Sequence, residues 1–150
     1  MVITENKKSF KQTIEQERAR HALKNVYNTA EKFPEGSEGR KIFVSCVENL
    51  PAAIINNGLG QAAATLLAQA KGATEVPHRI VYNILEDWLC RDNRFAPYKI
   101  TGDNINTPLM ESIVKSDRFS YVKAQAEALS YLDWLKKFTV AFLKEPDNKN

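Results

Sequence analysis

The sequence predicts an all-α fold, a compact single-domain bundle of about six to seven helices with no sheet. Three observations carry this reading. No stretch shows sustained apolar/polar alternation or a β-branched run bounded by turn residues, so nothing reads as a strand. Glycine and proline number six each in 150 residues and gather at a few places, leaving long stretches rich in Ala, Leu, Lys, Glu and Gln. Within those stretches apolar residues recur at steps of three and four, the period of one helix face.

The first helix is expected over residues 9–33, with Ala19, Leu23, Val26, Ala30 and Phe33 as its apolar face. Pro34, Gly36 and Gly39 stop it. A second helix starts at Ser37 or Glu38 and runs through Ile42, Phe43, Cys46 and Val47 to Asn49, before Pro51. Residues 51–57 form a short third piece opened by Pro51, and residues 59–70 an alanine-rich fourth closed by Gly72. The fifth helix, 75–90, tolerates Pro77 in its first turn and buries Val81, Ile84, Leu85, Trp88 and Leu89. A loop, 91–107, holds Asn93, Pro97, Gly102, Asn104 and Asn106. Thr107 as N-cap, Pro108 at the first helical position and Glu111 in the first turn open a sixth helix that ends near Ser116. The last helix runs from Asp117 to about Lys144, with Ala128, Leu132, Leu135, Phe138 and Phe142 along one side. The whole chain, 1–150, makes one domain, with 1–8 and 145–150 frayed.

Composition bounds function. The 43% hydrophobic and 26% charged content is ordinary for a globular domain and argues against disorder. Residues 1–11 are polar and charged, and no apolar run approaches the ~20 residues that cross a bilayer, so the sequence reads as soluble and cytoplasmic. Cys46 and Cys90 sit far apart in apolar segments, where buried free thiols are expected and neither a disulfide framework nor a zinc site is indicated. The two histidines, His21 and His78, lack a second ligand at metal spacing. His21 reads as a surface or boundary residue.

Catalytic patterns are not found, so no catalytic residue, metal site or cofactor is assigned. The turn Asn57-Gly58-Leu59-Gly60-Gln61 has the outline of a phosphate-binding loop at a helix start. It lacks the third glycine of a dinucleotide fingerprint and the Lys-Ser/Thr of a P-loop, and it follows a helix instead of a strand. A tight interhelical turn is the plainer reading. Glu86 and Asp87 are neighbours about 100° apart on a helix, and Glu15, Glu17, Glu127 and Asp133 share no face; all read as solvated surface. Trp88, Trp134, Tyr131 and Phe138 lie in apolar stripes and read as core.

The basic residues say more. Net charge is +3, from 21 basic and 18 acidic residues. Arg118, Lys123, Lys136, Lys137 and Lys144 face only Glu127 and Asp133 over the last helix, and Lys71 and Arg79 flank a loop. Such a stripe can follow a phosphate backbone without reading sequence, because no aromatic RNA-binding motif or recognition helix accompanies it.

Four stretches together resemble one family. They are residues 14–26 (IEQERARHALKNV), 50–67 (LPAAIINNGLGQAAATLL), 81–91 (VYNILEDWLCR) and 109–138, which contains LMESIVKSD and EALSYLDWLKKF. The most specific element is LPAAIINNGLGQA followed some twenty residues later by Trp88-Leu89-Cys90, with EQERA at residues 15–19 before them. The family is the small helical subunit, the fifth, of the type III-B CRISPR RNA-targeting effector, the Cmr complex. The 93–106 stretch has no counterpart in this resemblance.

The resemblance implies a non-catalytic structural subunit acting in antiviral defence. Copies would stack head to tail into a minor filament beside the backbone subunits that hold the guide RNA, with single-stranded target RNA between. Partners would be other Cmr subunits, further copies of the chain, the guide RNA indirectly and the target RNA. Charge alone, not the family, nominates Lys41, Lys71, Arg79, Lys136, Lys137 and Lys144 for the RNA-facing surface. Asn57, Gly58 and Gln61, in the NNGLGQ motif, are candidates for a subunit contact. The rival reading is a free-standing helical adaptor that binds another protein and never meets RNA.

Overall fold

The computed structural model describes residues 2–91, 95–100 and 106–147, with side chains described from residue 13 and not at residue 91. Among these residues the chain forms helices α1 (Val2–Lys32), α2 (Glu38–Ala70), α3 (Pro77–Glu86), α4 (Pro108–Lys115) and α5 (Arg118–Phe142), and α3 continues into a π-helical turn, Asp87–Arg91. No strand occurs among them. Asn93, Gly102 and Asn104 of the expected loop, and residues 148–150, lie outside the described residues.

Five helices stand where six to seven were expected: Pro51 does not end a helix, and the two limbs that Gly58 separates are counted together as α2. Pro51 lies inside the helix. It forfeits one backbone hydrogen bond, but Phe43, Val44, Val47, Leu50 and Ile54 form a continuous buried face on both sides of it. Gly58 is the one non-helical residue in α2, with φ 88° and ψ 157°. That conformation is open essentially to glycine alone. The chain reverses there: Ile42, Cys46 and Asn49 of the first limb line one groove with Leu66 and Gln69 of the second.

The helix ends follow local chemistry. Arg40 N–H bonds the Ser37 hydroxyl at the start of α2, and the Arg40 guanidinium donates to the carbonyls of Phe33 and Ala30. One arginine thereby closes α1 while α2 begins. Lys71 ends α2 in a left-handed conformation, φ 52°. At α5 the Asp117 carboxylate accepts from Ser120 N–H at 2.7 Å, which lowers the pKa of this exposed acid. Thr107 and Pro108 occupy the expected positions at α4, but Thr107 makes no side-chain cap bond. The Glu86 carboxylate replaces it, accepting from Leu109 N–H at 3.2 Å. The start of α1 moves from residue 9 to Val2, since no glycine or proline precedes Pro34. After α5, Glu145 lies outside any helix and accepts from Gly36 N–H at 2.5 Å.

The core runs through all of these elements. Phe43, Ile54, Leu59, Leu85, Trp88, Leu89, Leu109, Tyr131, Leu132 and Leu135 are almost fully buried. α3 packs chiefly on α2, and α5 lies between α1 and α2. Along α1 and α5, Arg18 meets Glu127, His21 meets Tyr131 and Tyr27 meets Phe142, so the two helices run parallel. The face α1 buries is His21, Ala22, Val26 and Thr29, with Leu23 only half-buried. It is therefore turned from the expected apolar stripe and includes polar residues. Cys90 is buried, whereas Cys46 is only half-buried; neither is in a disulfide, and burial pushes the Cys46 thiol up. Where the sequence showed no membrane-length apolar run, the merged α2 is long and apolar enough to cross a bilayer by length and composition. Here it is the central helix of the core, with ten buried residues.

Gly58→Ala would force a Cβ to 2.9 Å from the Tyr121 hydroxyl in a conformation nearly closed to alanine. The loss expected is about 2–3 kcal/mol, or a thermal midpoint lower by roughly 5–10 °C. Gly36→Ala, also at positive φ but with open space around it, should cost clearly less in the same melting experiment.

Candidate functional site

The reversal of α2 sorts the surface into two ends. At one end the close of α1, both ends of α2 and the close of α5 come together. Lys32 of α1 pairs with Glu75 after α2. Lys144 pairs with Glu48 at 3.0 Å, and Lys41 and Lys144 line one groove with Glu48, Glu145 and Asp147. Lys71 caps α2 here, and Arg79 stands in the first turn of α3 just beyond it. Lys136 and Lys137 lie in the C-terminal half of α5, about 9–12 Å along the helix from Lys144. The six charge-nominated residues thus belong to one half of the molecule.

Their partners separate them. Lys137 pairs with Asp133 at 3.0 Å on its own helix. The Arg79 Nε donates to Asn83 at 3.0 Å, and its guanidinium lies 5.5 Å from the Tyr82 ring centroid. Lys41, Lys71 and Lys136 are exposed and have no acidic partner among the described residues.

At the opposite end sits the bend. Asn57 and Gln61 are exposed and Gly58 is half-buried. Leu59 N–H donates to Gln125 Oε1 at 2.9 Å and Gly60 N–H to the Tyr121 hydroxyl at 3.0 Å, so α5 satisfies the backbone freed at the turn. Around it Ile55, Val114, Phe119 and Val122 are exposed, at 58–72%. A second exposed apolar pair, Tyr27 and Phe142, meets at the other end with ring centroids 5.8 Å apart and planes tilted by 59°. Along α5 the two patches stand roughly 30–35 Å apart.

Between the ends, α1, the π turn and α5 are joined by polar side chains that the sequence reading took for surface. Arg18 donates to Glu127 through Nε and Nη2, both at 2.8 Å, and also bonds Glu15. Donating these hydrogen bonds to the Glu127 carboxylate raises the Arg18 pKa. Trp88 Nε1 donates to Glu127 at 3.0 Å, and Trp134 Nε1 to Glu15 at 3.0 Å. Trp134 and Phe138 are half-buried against the core, while Trp88 and Tyr131 lie within it.

His21 is buried, not at the surface. Its Nε2 lies 2.7 Å from Asp87 and its Nδ1 2.5 Å from the Tyr131 hydroxyl. Asn25 Nδ2 donates to the His21 carbonyl and reaches Nδ1 at 3.2 Å. A carboxylate only accepts, so Nε2 carries the proton, and Nδ1 accepts from tyrosine and asparagine. Burial pushes the Tyr131 hydroxyl well above its ordinary pKa. Glu86 is buried too, taking the Tyr82 hydroxyl at 2.7 Å. Burial, then that bond to Glu86, pushes the Tyr82 pKa far up. The pairs His21–Asp87, Arg18–Glu127 and His21–Tyr131 are 66, 109 and 110 residues apart in the chain, so no spacing could have revealed them. Asp133, by contrast, is exposed as expected. No group of three metal-ligating side chains occurs among the described residues.

Residues 14–142 match the profile of the family described as CRISPR-associated protein (Cas_Cmr5). The chain belongs to the Cmr5 family. Membership makes it a subunit of the Cmr complex of type III-B CRISPR systems. The fold agrees: a crystal structure of a CRISPR-associated Cmr5 family protein from Thermus thermophilus matches with a TM-score of 0.63 at 23% identity, covering 87% of this chain and 97% of that one. The Cmr5 match includes the bend, the polar junction and α5.

Glu127→Gln should destabilise the fold by about 2–3 kcal/mol, because it removes the mostly buried counter-charge of the Arg18 guanidinium and leaves it only the exposed Glu15. Asp133→Asn, at an exposed pair, should stay within about 0.5 kcal/mol. Urea unfolding followed by tryptophan fluorescence reads both.

Proposed function

We propose that this chain is a non-catalytic, cytoplasmic subunit of the Cmr effector that forms its minor filament and helps hold single-stranded target RNA along the guide. The observation that carries the RNA reading is the grouping of Lys41, Lys71, Arg79, Lys136, Lys137 and Lys144 in one half of the molecule from three separate helices and their ends. Lys41, Lys71 and Lys136 lead the contact, since an ammonium without an acidic partner gains most from a phosphate. Lys137, Lys144 and Arg79 would first have to leave the partners they have.

Head-to-tail stacking is supported by the two unlike ends. A heterologous contact needs two different surfaces on one molecule. The bend end, with Asn57, Gly58 and Gln61 beside Ile55 and Val122, is one; the end bearing Tyr27 and Phe142 is the other. Contact with the guide RNA is indirect, through the backbone subunits.

The test substitutes Lys41→Ala, Lys71→Ala and Lys136→Ala together in the reconstituted effector and measures target-strand affinity across salt. Each lost phosphate contact should lower the slope of log K against log[salt] by roughly 0.7, so the triple variant should bind more weakly and lose a slope of about 2. Unchanged affinity and slope would refute the RNA contact. Affinity purification of the tagged chain tests the wider reading: effector subunits with guide-sized RNA support it. One unrelated protein free of RNA would establish the adaptor instead.

A further inference from the structure

A further groove opens beside the basic end, with Lys32 and Arg79 in its lining. It lies between α1 and α3 and measures about 770 Å³. Its distinguishing feature is asparagine: Asn25 and Asn28 on α1, Asn83 on α3 and Asn106 ahead of α4 all line it. Their hydrogen-bonding capacity is only partly used. Asn25 commits its Nδ2 to His21, leaving Oδ1; Asn83 commits Oδ1 to Arg79, leaving Nδ2. Asn28 and Asn106 have no partner among the described residues. The groove therefore offers both donors and acceptors from both of its sides.

Its chemistry selects the occupant. Lys32 and Arg79 are offset by Glu31, Glu86 and Asp87 in the same lining, so there is no positive excess for a phosphate backbone. Among the described residues no aromatic side chain lines it, and without a stacking platform an unpaired base gains little. Ile80 and Ile84 supply apolar surface between the amides. A neutral ligand that alternates donors and acceptors is the main chain of an extended peptide. Lining residues run from 25 to 32 on α1 and from 79 to 87 on α3, a length of about 11–12 Å, which matches three to four extended residues.

We propose that the α1–α3 groove binds a short extended polar segment of a neighbouring protein subunit of the effector, held through its backbone amides by the asparagines. This rests on the chain being an effector subunit. The test places the photo-crosslinking residue p-benzoylphenylalanine at Asn28 in the purified, RNA-containing complex. The expected product is a single protein–protein adduct that mass spectrometry maps to one contiguous stretch of a few residues. Adding Asn83→Ala, a change at an exposed position, should lower the adduct yield at least five-fold. A nuclease-sensitive adduct would assign the groove to RNA and overturn the proposal. No adduct, or a yield indifferent to Asn83→Ala, would overturn it as well while leaving the RNA-holding reading intact. If the chain recovers no effector subunit at all, both readings fall.

Discussion

One residue's backbone decides the layout of this molecule. Gly58 holds φ 88° and ψ 157° inside an otherwise helical run of 33 residues, and at that point the longest apolar helix turns back on itself. Without the reversal, Lys41 and Lys71 would stand at opposite ends of a rod about 45 Å apart at 1.5 Å per residue. With it they fall in the same half of the protein, and the bend becomes a separate end. The turn also exposes backbone that a helix would have satisfied, and α5 supplies the partners through Tyr121 and Gln125. Gly60 is constrained less tightly: a Cβ there would meet Ile113 at 3.3 Å. The two glycines of the NGLG turn thus have different duties: the first adopts a conformation, the second admits α4.

The second organising element is the polar junction of α1, the π turn and α5. The π turn shifts the register after Glu86, so that Asp87 faces His21 while Trp88 meets Glu127. Near the end of that turn the Leu89 carbonyl accepts from Tyr98 N–H at 3.1 Å. Such bonds contribute about 1 kcal/mol each when satisfied and cost more when one partner is lost. Their main effect is specificity: an apolar seam between parallel helices would tolerate sliding, whereas Arg18 on Glu127 and His21 on Asp87 and Tyr131 fix both register and rotation.

The helical class, the Ser37, Thr107 and Asp117 starts, the buried face of α3 and the family were legible in the sequence, because each depends on neighbours three or four residues away or on a contiguous motif. The continuity of α2 through Pro51 was not. Proline and glycine are local signals for a break, and the buried face from Phe43 to Ile54 that overrides the first of them is a tertiary effect. The burial of His21, Glu86 and Glu127 was equally invisible, since a charged side chain on a helix looks solvated until its partner, more than twenty residues away in the chain, is placed beside it. Among the candidate site residues, charge type could be read from the sequence, but which ammonium groups stand without a counter-charge could not. Lys144 finds Glu48 only because α5 ends against the first limb of α2.

As a Cmr5-family subunit, the molecule is best understood through its asymmetry, with apolar side chains around a rigid glycine bend at one end and unpaired lysines with an aromatic pair toward the other. The most direct test of that account is an electron cryo-microscopy map of the effector containing this chain, bound to target RNA. The account predicts copies in contact through unlike surfaces, the Ile55–Val122 side of one against the Tyr27–Phe142 side of the next, with Lys41, Lys71 and Lys136 turned to the target strand. Copies that meet through like surfaces, or that turn those lysines to solvent away from the RNA, would contradict it.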